Sequence, residues 1–306
     1  MPSHSPTRLA WGAWIAVCLL WGTTYLAIRI ALETVPPMLM GGFRWTLAGA
    51  LILGVMTLRG ERVPGRAEWP SLALLGVLLI GFGNGGVVWA EQTLPSGLTA
   101  VLVAVIPFWM VGVEKLTGST EPLTPRRMLG LLIGFAGIVL LVWPELELGA
   151  GSGFLIGVLA TQLACLGWAL GSSYSRRRAP AENVLAVAAY QMLFGGVSMF
   201  LAGTVHGEWT HLAFNARTAS AVGYLLLFGS VAGFSAYGYA LKHLPIATVS
   251  LYAYVNPVIA VVLGTLVLDE PMSPRLAAAG LVVLVGMGMV RSRPEGRQLR
   301  TIWKTL

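Results

Sequence analysis

Charged residues, cysteines and histidines are scarce in this sequence of 306 residues. Only 11% of the residues are charged, whereas a soluble domain carries about 25%. The two cysteines, Cys18 and Cys165, fall inside apolar segments, no CxxC pair occurs, and the four histidines lie in predicted loops or near the N-terminus. We therefore expect neither a metal site nor another cofactor. The low charge also argues against a soluble globular domain.

Acidic residues are missing from the centres of the apolar segments, where Glu91 and Glu114 lie only near the ends. An enzyme that works inside a membrane needs a nucleophile with its base, or metal ligands, at depth. The sequence contains neither Gly-x-Ser-x-Gly nor His-Glu-x-x-His, the motifs that would supply such groups. The chain is therefore not expected to be an enzyme.

Long apolar runs fill most of the remaining sequence, which is 56% hydrophobic with a mean hydropathy of +0.75. Each run is long enough to cross a hydrocarbon core of about 30 Å. Their continuous apolar character favours helices over barrel strands, which alternate. The first run lacks a small-residue cleavage site and is expected to remain as a helix. Ten spans are predicted at approximately residues 10–32, 36–58, 70–92, 95–116, 127–144, 153–175, 181–204, 219–241, 245–268 and 275–291.

The basic residues alternate between the predicted loops and thereby orient the chain. With the N-terminus in the cytoplasm, 16 of the 20 Lys and Arg residues fall on the inside, and only Arg217 and Arg275 fall on the outside. Cytoplasmic loops of membrane proteins carry such an excess, so both termini are predicted to be cytoplasmic. Membrane topology explains the net charge of +7, and nucleic acid is not expected as a partner.

The sequence repeats itself at an offset of 148 to 150 residues, which predicts two similar halves. Each half holds five spans, at residues 10–144 and 153–291, and a basic cytoplasmic tail follows at 292–306. The matching segments are Gly22-Thr23-Thr24-Tyr25 with Gly171-Ser172-Ser173-Tyr174, Gly81 and Gly85 with Gly229 and Gly233, Leu94-Pro95 with Leu244-Pro245, Pro107 with Pro257, and Glu121-Pro122 with Glu270-Pro271.

An odd number of spans per half means that the second half enters the membrane from the opposite side. The predicted fold class is thus an all-α membrane protein of ten transmembrane helices, arranged as two inverted-topology five-helix repeats. Inverted repeats recur in secondary transporters, where the two halves exchange roles as the site opens to one side and then to the other.

These motifs resemble the tandem EamA domains of the drug/metabolite transporter superfamily, the ten-helix permeases. The resemblance covers about residues 10–291, and its narrowest likeness is to the bacterial exporters of amino acids, in particular the aromatic amino-acid exporter. It implies a transporter in the bacterial inner membrane, surrounded by lipid bilayer, with a small-molecule substrate and a monomer or weak dimer as the working form. The motifs that carry it are Trp21-Gly22-x-x-Tyr25, Leu94-Pro95, Pro107 and Glu121-Pro122, with Leu244-Pro245, Pro257 and Glu270-Pro271 in the second half.

The predicted function is export of amino acids with aromatic or hydrophobic side chains by alternating access, as a facilitated uniporter. Aromatic faces with a few amides and hydroxyls suit a flat apolar side chain, whereas a phosphorylated substrate would need clustered basic residues. Import, a proton-coupled exporter of drugs or of other metabolites (threonine, homoserine or a nucleobase), and a passive channel remain as alternatives. The lack of a carboxylate at mid-span argues against the coupling that the small multidrug exporters use.

Polar and aromatic residues within the spans are the candidates for the substrate path, because polar groups in hydrocarbon are costly. Their alternative role is helix packing. Mid-span prolines free backbone groups that are tolerated beside a cavity, although they could also be structural kinks. The predicted substrate-binding residues are Tyr25, Phe82, Asn84, Trp89, Trp109, Gln162, Trp168, Tyr190, Tyr237, Tyr252 and Asn256; the predicted gating or helix-break residues are Pro107, Pro257, Gly81, Gly85, Gly229 and Gly233.

Two arginines within the spans require a partner or a route to water. Arg29 is expected to extend to the outer interface. Arg44 lies eight residues into its span, so we expect it to pair with Glu91 or Glu33, or to meet a substrate carboxylate.

Overall fold

Helices form every regular element in the described part of the chain, residues 8–117, 124–147, 151–177, 183–244, 249 and 252–290 of a computed structural model. Seven of them are long and apolar enough to cross a membrane, and three shorter apolar helices bring the number in these ranges to ten. The predicted all-α fold with ten membrane helices is confirmed. The helices are α1 Arg8–Ala31, α2 Pro37–Leu58, α3 Arg66–Ala90, α4 Ser96–Leu116, α5 Pro125–Glu147, α6 Ser152–Ser175, α7 Val184–Val205, α8 Ala216–Ala240, α9 Tyr252–Leu268 and α10 Pro274–Val290.

The surface of the helix bundle is apolar, as a lipid-facing surface must be. Large aliphatic and aromatic side chains point outward from helices of both halves. Such exposure would be a liability in water, whereas in a bilayer it matches the surroundings. Examples, with their exposed fractions, are Leu132 at 60%, Phe135 at 63%, Leu159 at 62%, Leu201 at 63% and Leu266 at 74%.

The loops gather at two ends of the bundle. At one end, the α1–α2 loop is joined to the start of α8 by an ion pair between Glu33 and Arg217 with an N–O distance of 3.0 Å. At the opposite end, the Asn183 amide before α7 donates to the Glu61 carboxylate after α2 at 3.3 Å. We call these the outer and inner ends, after the orientation predicted from the basic residues. Which end faces the cytoplasm stays a prediction.

Equivalent helices of the two halves, α2 and α7, are packed side by side. A Cβ atom at Gly42 would lie 2.5 Å from Phe200, one at Gly49 would lie 2.7 Å from the backbone nitrogen of Leu193, and one at Gly196 would lie 2.4 Å from that of Thr46. Residue numbers fall along α7 as they rise along α2, so the two helices run antiparallel.

The helices α5 and α10 show the same relation. Gly137 faces Val283, and Gly286 faces Gly134, which again gives antiparallel packing of equivalent helices. The remaining neighbours follow the same rule: α1 packs on α8 as α6 packs on α3, α9 packs on α1 as α4 packs on α6, and α4 packs on α9. Exchanging the first five helices with the last five therefore leaves these main pairs of neighbours unchanged.

Both α3 and α8 contain an eight-residue π-helical segment, which the sequence reading did not predict. The segments are Val77–Asn84 and Leu225–Ala232, and their offset is 148 residues. π-Helical turns are rare in proteins, and those that do occur often lie at functional sites. Their occurrence at equivalent positions indicates that the backbone irregularity belongs to the repeat itself.

The two mid-span prolines have different effects. The helix α4 is interrupted between Val103 and Ile106, and Pro107 opens its second part, as expected for a residue that lacks a backbone donor. In contrast, Pro257 lies inside a continuous helix over Tyr252–Leu268. A break is therefore present at Pro107, whereas the break expected at Pro257 is not seen within the described part of α9.

Several sequence features fall outside the described residues, namely Glu121, Pro122, Pro245 and the tail 292–306. The division of the chain at residues 10–144 and 153–291 stays a prediction.

Candidate functional site

An aromatic cluster forms where α1, α8 and α9 meet. The ring of Trp21 lies 5.1 Å from Phe234, 5.1 Å from Tyr237 and 4.8 Å from Tyr252, measured between centroids. Tyr237 and Tyr252 are themselves 6.0 Å apart, edge to face. These separations are those of favourable aromatic pairs. The cluster brings together two predicted site residues, Tyr237 and Tyr252.

Gly229 and Gly233 of α8 both contact Trp21 of this cluster. A Cβ atom at Gly233 would lie 2.6 Å from Nε1 of Trp21. That indole nitrogen donates to the carbonyl oxygen of Gly229 at 3.1 Å. Of the predicted glycine pair, Gly233 allows the Trp21 side chain to lie against the α8 backbone, whereas Gly229 makes room for Thr24 and Arg44.

Asn256 connects α9 to α1 beside the cluster. It is 8% exposed, and its amide nitrogen, in the orientation that satisfies the site, donates to the carbonyl oxygens of Cys18 at 3.2 Å and Tyr252 at 3.0 Å. The amide oxygen is left as an acceptor. Asn256 therefore holds the two helices in register next to the rings.

A second predicted pair is formed by Trp109 and Gln162 across α4 and α6. The indole nitrogen of Trp109 donates to Oε1 of Gln162 at 3.0 Å. The buried amide nitrogen of Gln162 has no hydrogen-bond partner in the described part of the chain. It is a free donor inside the bundle, and buried donors are normally satisfied.

Arg44 is buried, with 3% of its surface exposed. Its Nε donates to the hydroxyl of Ser230 at 2.8 Å, and its guanidinium lies 4.2 Å from the centre of the Trp45 ring. A Cβ atom at Gly229 would come within 3.0 Å of Nη2. Arg44 is thus held by the Ser230 hydroxyl in the π-helical segment of α8 and by the Trp45 ring of α2.

Glu91 follows the last residue of α3 and is 0% exposed. Among the residues that the structure describes, neither carboxylate oxygen has a hydrogen-bond partner. The side chain of Arg29 donates to the backbone carbonyl of Glu91, and so Arg29 does not simply extend to the interface. The carboxylate lies within electrostatic range of Arg29, Arg44, Glu270 and the Tyr25 hydroxyl. Within the described residues, the expected contact pair of Arg44 and Glu91 is not formed, because Arg44 is held by Ser230.

Five predicted site residues lie elsewhere. Phe82 is 59% exposed and faces outward from α3. The Asn84 amide donates to the Leu79 carbonyl at 3.2 Å, inside the π-helical segment. Trp168 lies against Gly83, and Tyr190 stacks with Phe194 near Trp69. The ring of Trp89 is 5.8 Å from His206 and lines an outer surface cavity of about 380 Å³.

The glycines of α3 serve packing against α7. A Cβ atom would lie 2.8 Å from Oγ of Ser198 at Gly81, and 3.4 Å from Cε of Met199 at Gly85. In the second half, Gly229 faces Arg44 of α2, the counterpart of α7, and Thr24 of α1, whereas Gly233 faces Trp21 of α1.

Trp21, Phe234 and Ser230 were not singled out as site residues from the sequence. A usable signal existed for the first, because Trp21, Tyr25 and Arg29 recur every four residues and share one face of a helix. For Ser230 no comparable signal exists, since its partner Arg44 lies 186 residues away.

The chain is similar to known transporters over most of its length. It is 37% identical over 276 residues to the inner membrane transporter YedA of Escherichia coli K12, covering 89% of this chain and 87% of the relative. The transporter YvbV of Bacillus subtilis is 23% identical, with 93% and 92% covered. A WAT1-related chloroplastic protein of Arabidopsis thaliana is 25% identical, with 95% and 71% covered.

One solved crystal structure has the same fold, with a TM-score of 0.61 at 22% identity, covering 96% of this chain and 98% of the other. The model of the EamA-like transporter family matches twice, at residues 9–143 and 155–292. With the ten helices and the apolar surface described above, these matches show that the chain belongs to the EamA-like transporter family and is a multi-pass membrane transporter of the drug/metabolite superfamily.

Proposed function

We propose that the protein exports amino acids with aromatic or hydrophobic side chains across the inner membrane, as a facilitated uniporter. The observation that carries this proposal is the cluster of Trp21, Phe234, Tyr237 and Tyr252 between α1, α8 and α9. A flat apolar side chain would bury its area among such rings and gain edge-to-face contacts. The amides of Gln162 and Asn256 supply a few polar groups in the same bundle.

Alternating access is the proposed mechanism, with the two halves acting as an inverted repeat. Support comes from the antiparallel packing of α2 on α7 and of α5 on α10. An exchange of conformations between the halves would close one end as it opens the other. We further propose that both termini are cytoplasmic and that a monomer or weak dimer is the working form.

The test is uptake of radiolabelled phenylalanine and tryptophan into proteoliposomes that contain only this protein, compared with threonine and a lipophilic cation. Saturable uptake of the aromatic amino acids without a pH gradient is the expected result. Tyr252→Leu should lower it about tenfold, since the side chain of the substrate would lose an aromatic contact worth about 1 kcal/mol. Tyr239→Leu, at a ring that stacks on His243 outside the cluster, is the matched control and should retain uptake. Saturable uptake of none of the amino acids would contradict the proposal.

A proton-coupled exporter of drugs or other metabolites is the second candidate. The buried Glu91 carboxylate, with both oxygens unpartnered, favours it, because a carboxylate in such surroundings is a natural proton acceptor. Cation movement driven by an imposed pH gradient, without uptake of amino acids, would support this candidate over the uniporter.

A further inference from the structure

The Glu91 carboxylate lacks a direct partner in a place where an anion needs one. It is 0% exposed, and both oxygens are without a hydrogen bond. A buried carboxylate is strongly disfavoured unless a cation or donors meet it. The described charged and titratable neighbours are Arg29, Arg44, Glu270 and Tyr25. The side chain of Arg29 donates to the Glu91 backbone carbonyl, and Glu270 adds a like charge.

Arg44 is the complementary half of the arrangement. Ser230 occupies its Nε and Trp45 lies under its plane, which fixes the guanidinium while its terminal nitrogens remain donors. Because residue 229 is a glycine, the guanidinium can lie close against the α8 backbone, where a Cβ atom would come within 3.0 Å of Nη2. A fixed arginine fork suits a carboxylate.

The Glu91 carboxylate and the Arg44 guanidinium together suit a molecule that carries one positive and one negative charge. We propose that Glu91 accepts the α-ammonium group and Arg44 binds the α-carboxylate of a zwitterionic amino acid. The unpartnered amide nitrogen of Gln162 is a further donor in the same bundle. This inference rests on the proposed function, and it names what recognises the head group of the substrate.

The aromatic cluster, which would hold the side chain of the substrate, lies in a position that agrees with a head-group site at Glu91 and Arg44. Tyr25, whose hydroxyl is within electrostatic range of Glu91, is one helical turn beyond Trp21 on the same face of α1. Four residues rise about 6 Å along a helix, which is comparable to the length of an aromatic side chain. An amino acid held at Glu91 and Arg44 would thus direct its side chain toward the Trp21 cluster.

Analogues that lack one charge provide the test. Uptake of radiolabelled phenylalanine, phenethylamine (without the carboxylate) and phenylpropionate (without the ammonium) is measured in proteoliposomes at symmetric neutral pH. The wild type should prefer phenylalanine by at least tenfold over both analogues, because each analogue leaves one buried charge unpartnered. Glu91→Gln should lower phenylalanine uptake at least tenfold and shift preference toward phenylpropionate. Arg44→Gln should shift preference toward phenethylamine.

Matched controls keep the outcome interpretable. Glu61→Gln removes an acid from the opposite end, and Arg59→Gln removes an exposed arginine from the end of α2; both should retain wild-type preference. Each variant is checked for a single symmetric peak in size-exclusion chromatography. If Arg44→Gln does not reach the folded state, Arg44→Lys, which keeps the charge and loses the fork, should weaken phenylalanine uptake without favouring phenylpropionate.

Three results would overturn the assignment. Equal wild-type uptake of phenylalanine and both analogues would contradict the head-group site but not the proposed transport of aromatic compounds. Unchanged preference in Glu91→Gln, or loss of response to an imposed pH gradient with preference retained, would make Glu91 structural or a proton carrier. Absence of any amino-acid uptake by the wild type would overturn the proposed function and this site together.

Discussion

The two halves share a backbone plan and differ in their chemistry. The π-helical segments of α3 and α8 lie at an offset of 148 residues, and α2 and α7 begin and end at an offset of 147. At those offsets Arg44 of the first half corresponds to Gln191, and Glu91 corresponds to Tyr239. The buried charges of Arg44 and Glu91 therefore have no charged counterpart at the equivalent positions of the second half, whereas α8 and α9 supply the tyrosines of the aromatic cluster.

This difference teaches that the repeat conserves how helices pack more strictly than what they present to the interior. Packing of equivalent helices against each other is shared by both halves, so a change there affects both. Side chains that face the interior can diverge, because only one half needs to supply each chemical group. The following substitutions test this comparison, from the largest expected effect to the smallest.

The glycines at the α2–α7 contact should be the least tolerant. Gly49 and Gly196 are repeat equivalents, and a Cβ atom at either would lie within 2.7 Å of backbone atoms of the other helix. Each change to alanine should lower the free energy of unfolding by about 3 kcal/mol, because overpacking against backbone forces the helices apart. Thermal unfolding in detergent measures this. Gly54→Ala, where no described atom lies within 4 Å of the added Cβ, should leave the free energy of unfolding unchanged. A loss as large as that of Gly196→Ala would contradict the close-packing role of the contact glycines.

Glu270 should matter next, because a second-half carboxylate caps a first-half helix. It accepts hydrogen bonds from the backbone nitrogens of Ser96 at 2.8 Å and Gly97 at 3.2 Å, and from the Ser96 hydroxyl at 2.8 Å. Glu270→Ala should cost about 2 kcal/mol of unfolding free energy, since a buried helix start loses its acceptors. In the same unfolding assay, Glu33→Ala, which breaks an exposed ion pair, should cost less than about 1 kcal/mol. Equal losses in the two variants would refute the capping role.

Trp21→Leu would make α1 resemble α6, which has Leu170 at the equivalent position. Trp21 is the ring that contacts the other three members of the cluster; a substrate ring bound there would lose its aromatic contact, which should lower kcat/KM for phenylalanine about tenfold, or about 1.4 kcal/mol. The readout is uptake into proteoliposomes. Trp11→Leu, at a residue that is 42% exposed, should retain wild-type uptake. If both variants transport equally well, the aromatic cluster does not bind the substrate.

Asn84→Ala should have the smallest effect. Ala232 occupies the equivalent place in α8, where the π-helical segment forms without an amide. The single hydrogen bond from Asn84 to the Leu79 carbonyl should contribute about 1 kcal/mol or less to stability, with phenylalanine uptake little changed. Abolished uptake in a folded Asn84→Ala protein would restore Asn84 as a substrate ligand, as its sequence position suggested.

The sequence predicted the elements better than their contacts. Apolar run length gave the ten helices, and the missing donor of Pro107 gave the interruption in α4. It also placed Trp109 and Gln162 among the site candidates, and these two form a hydrogen bond. By contrast, Phe82 looked like a lining residue and is 59% exposed, because an apolar helix gives little periodic signal to separate its lipid face from its interior face.

The sequence by itself determined how many times the chain crosses the membrane and that its two halves are alike. Run length, loop charge and repeat offset are properties that can be counted along one dimension. Only the tertiary structure decided that Trp21 meets Tyr252, that Ser230 holds Arg44 and that the buried Glu91 carboxylate has no hydrogen-bond partner among the described residues. Those contacts join helices far apart in the chain, and they depend on which glycines permit close approach among ten packed helices.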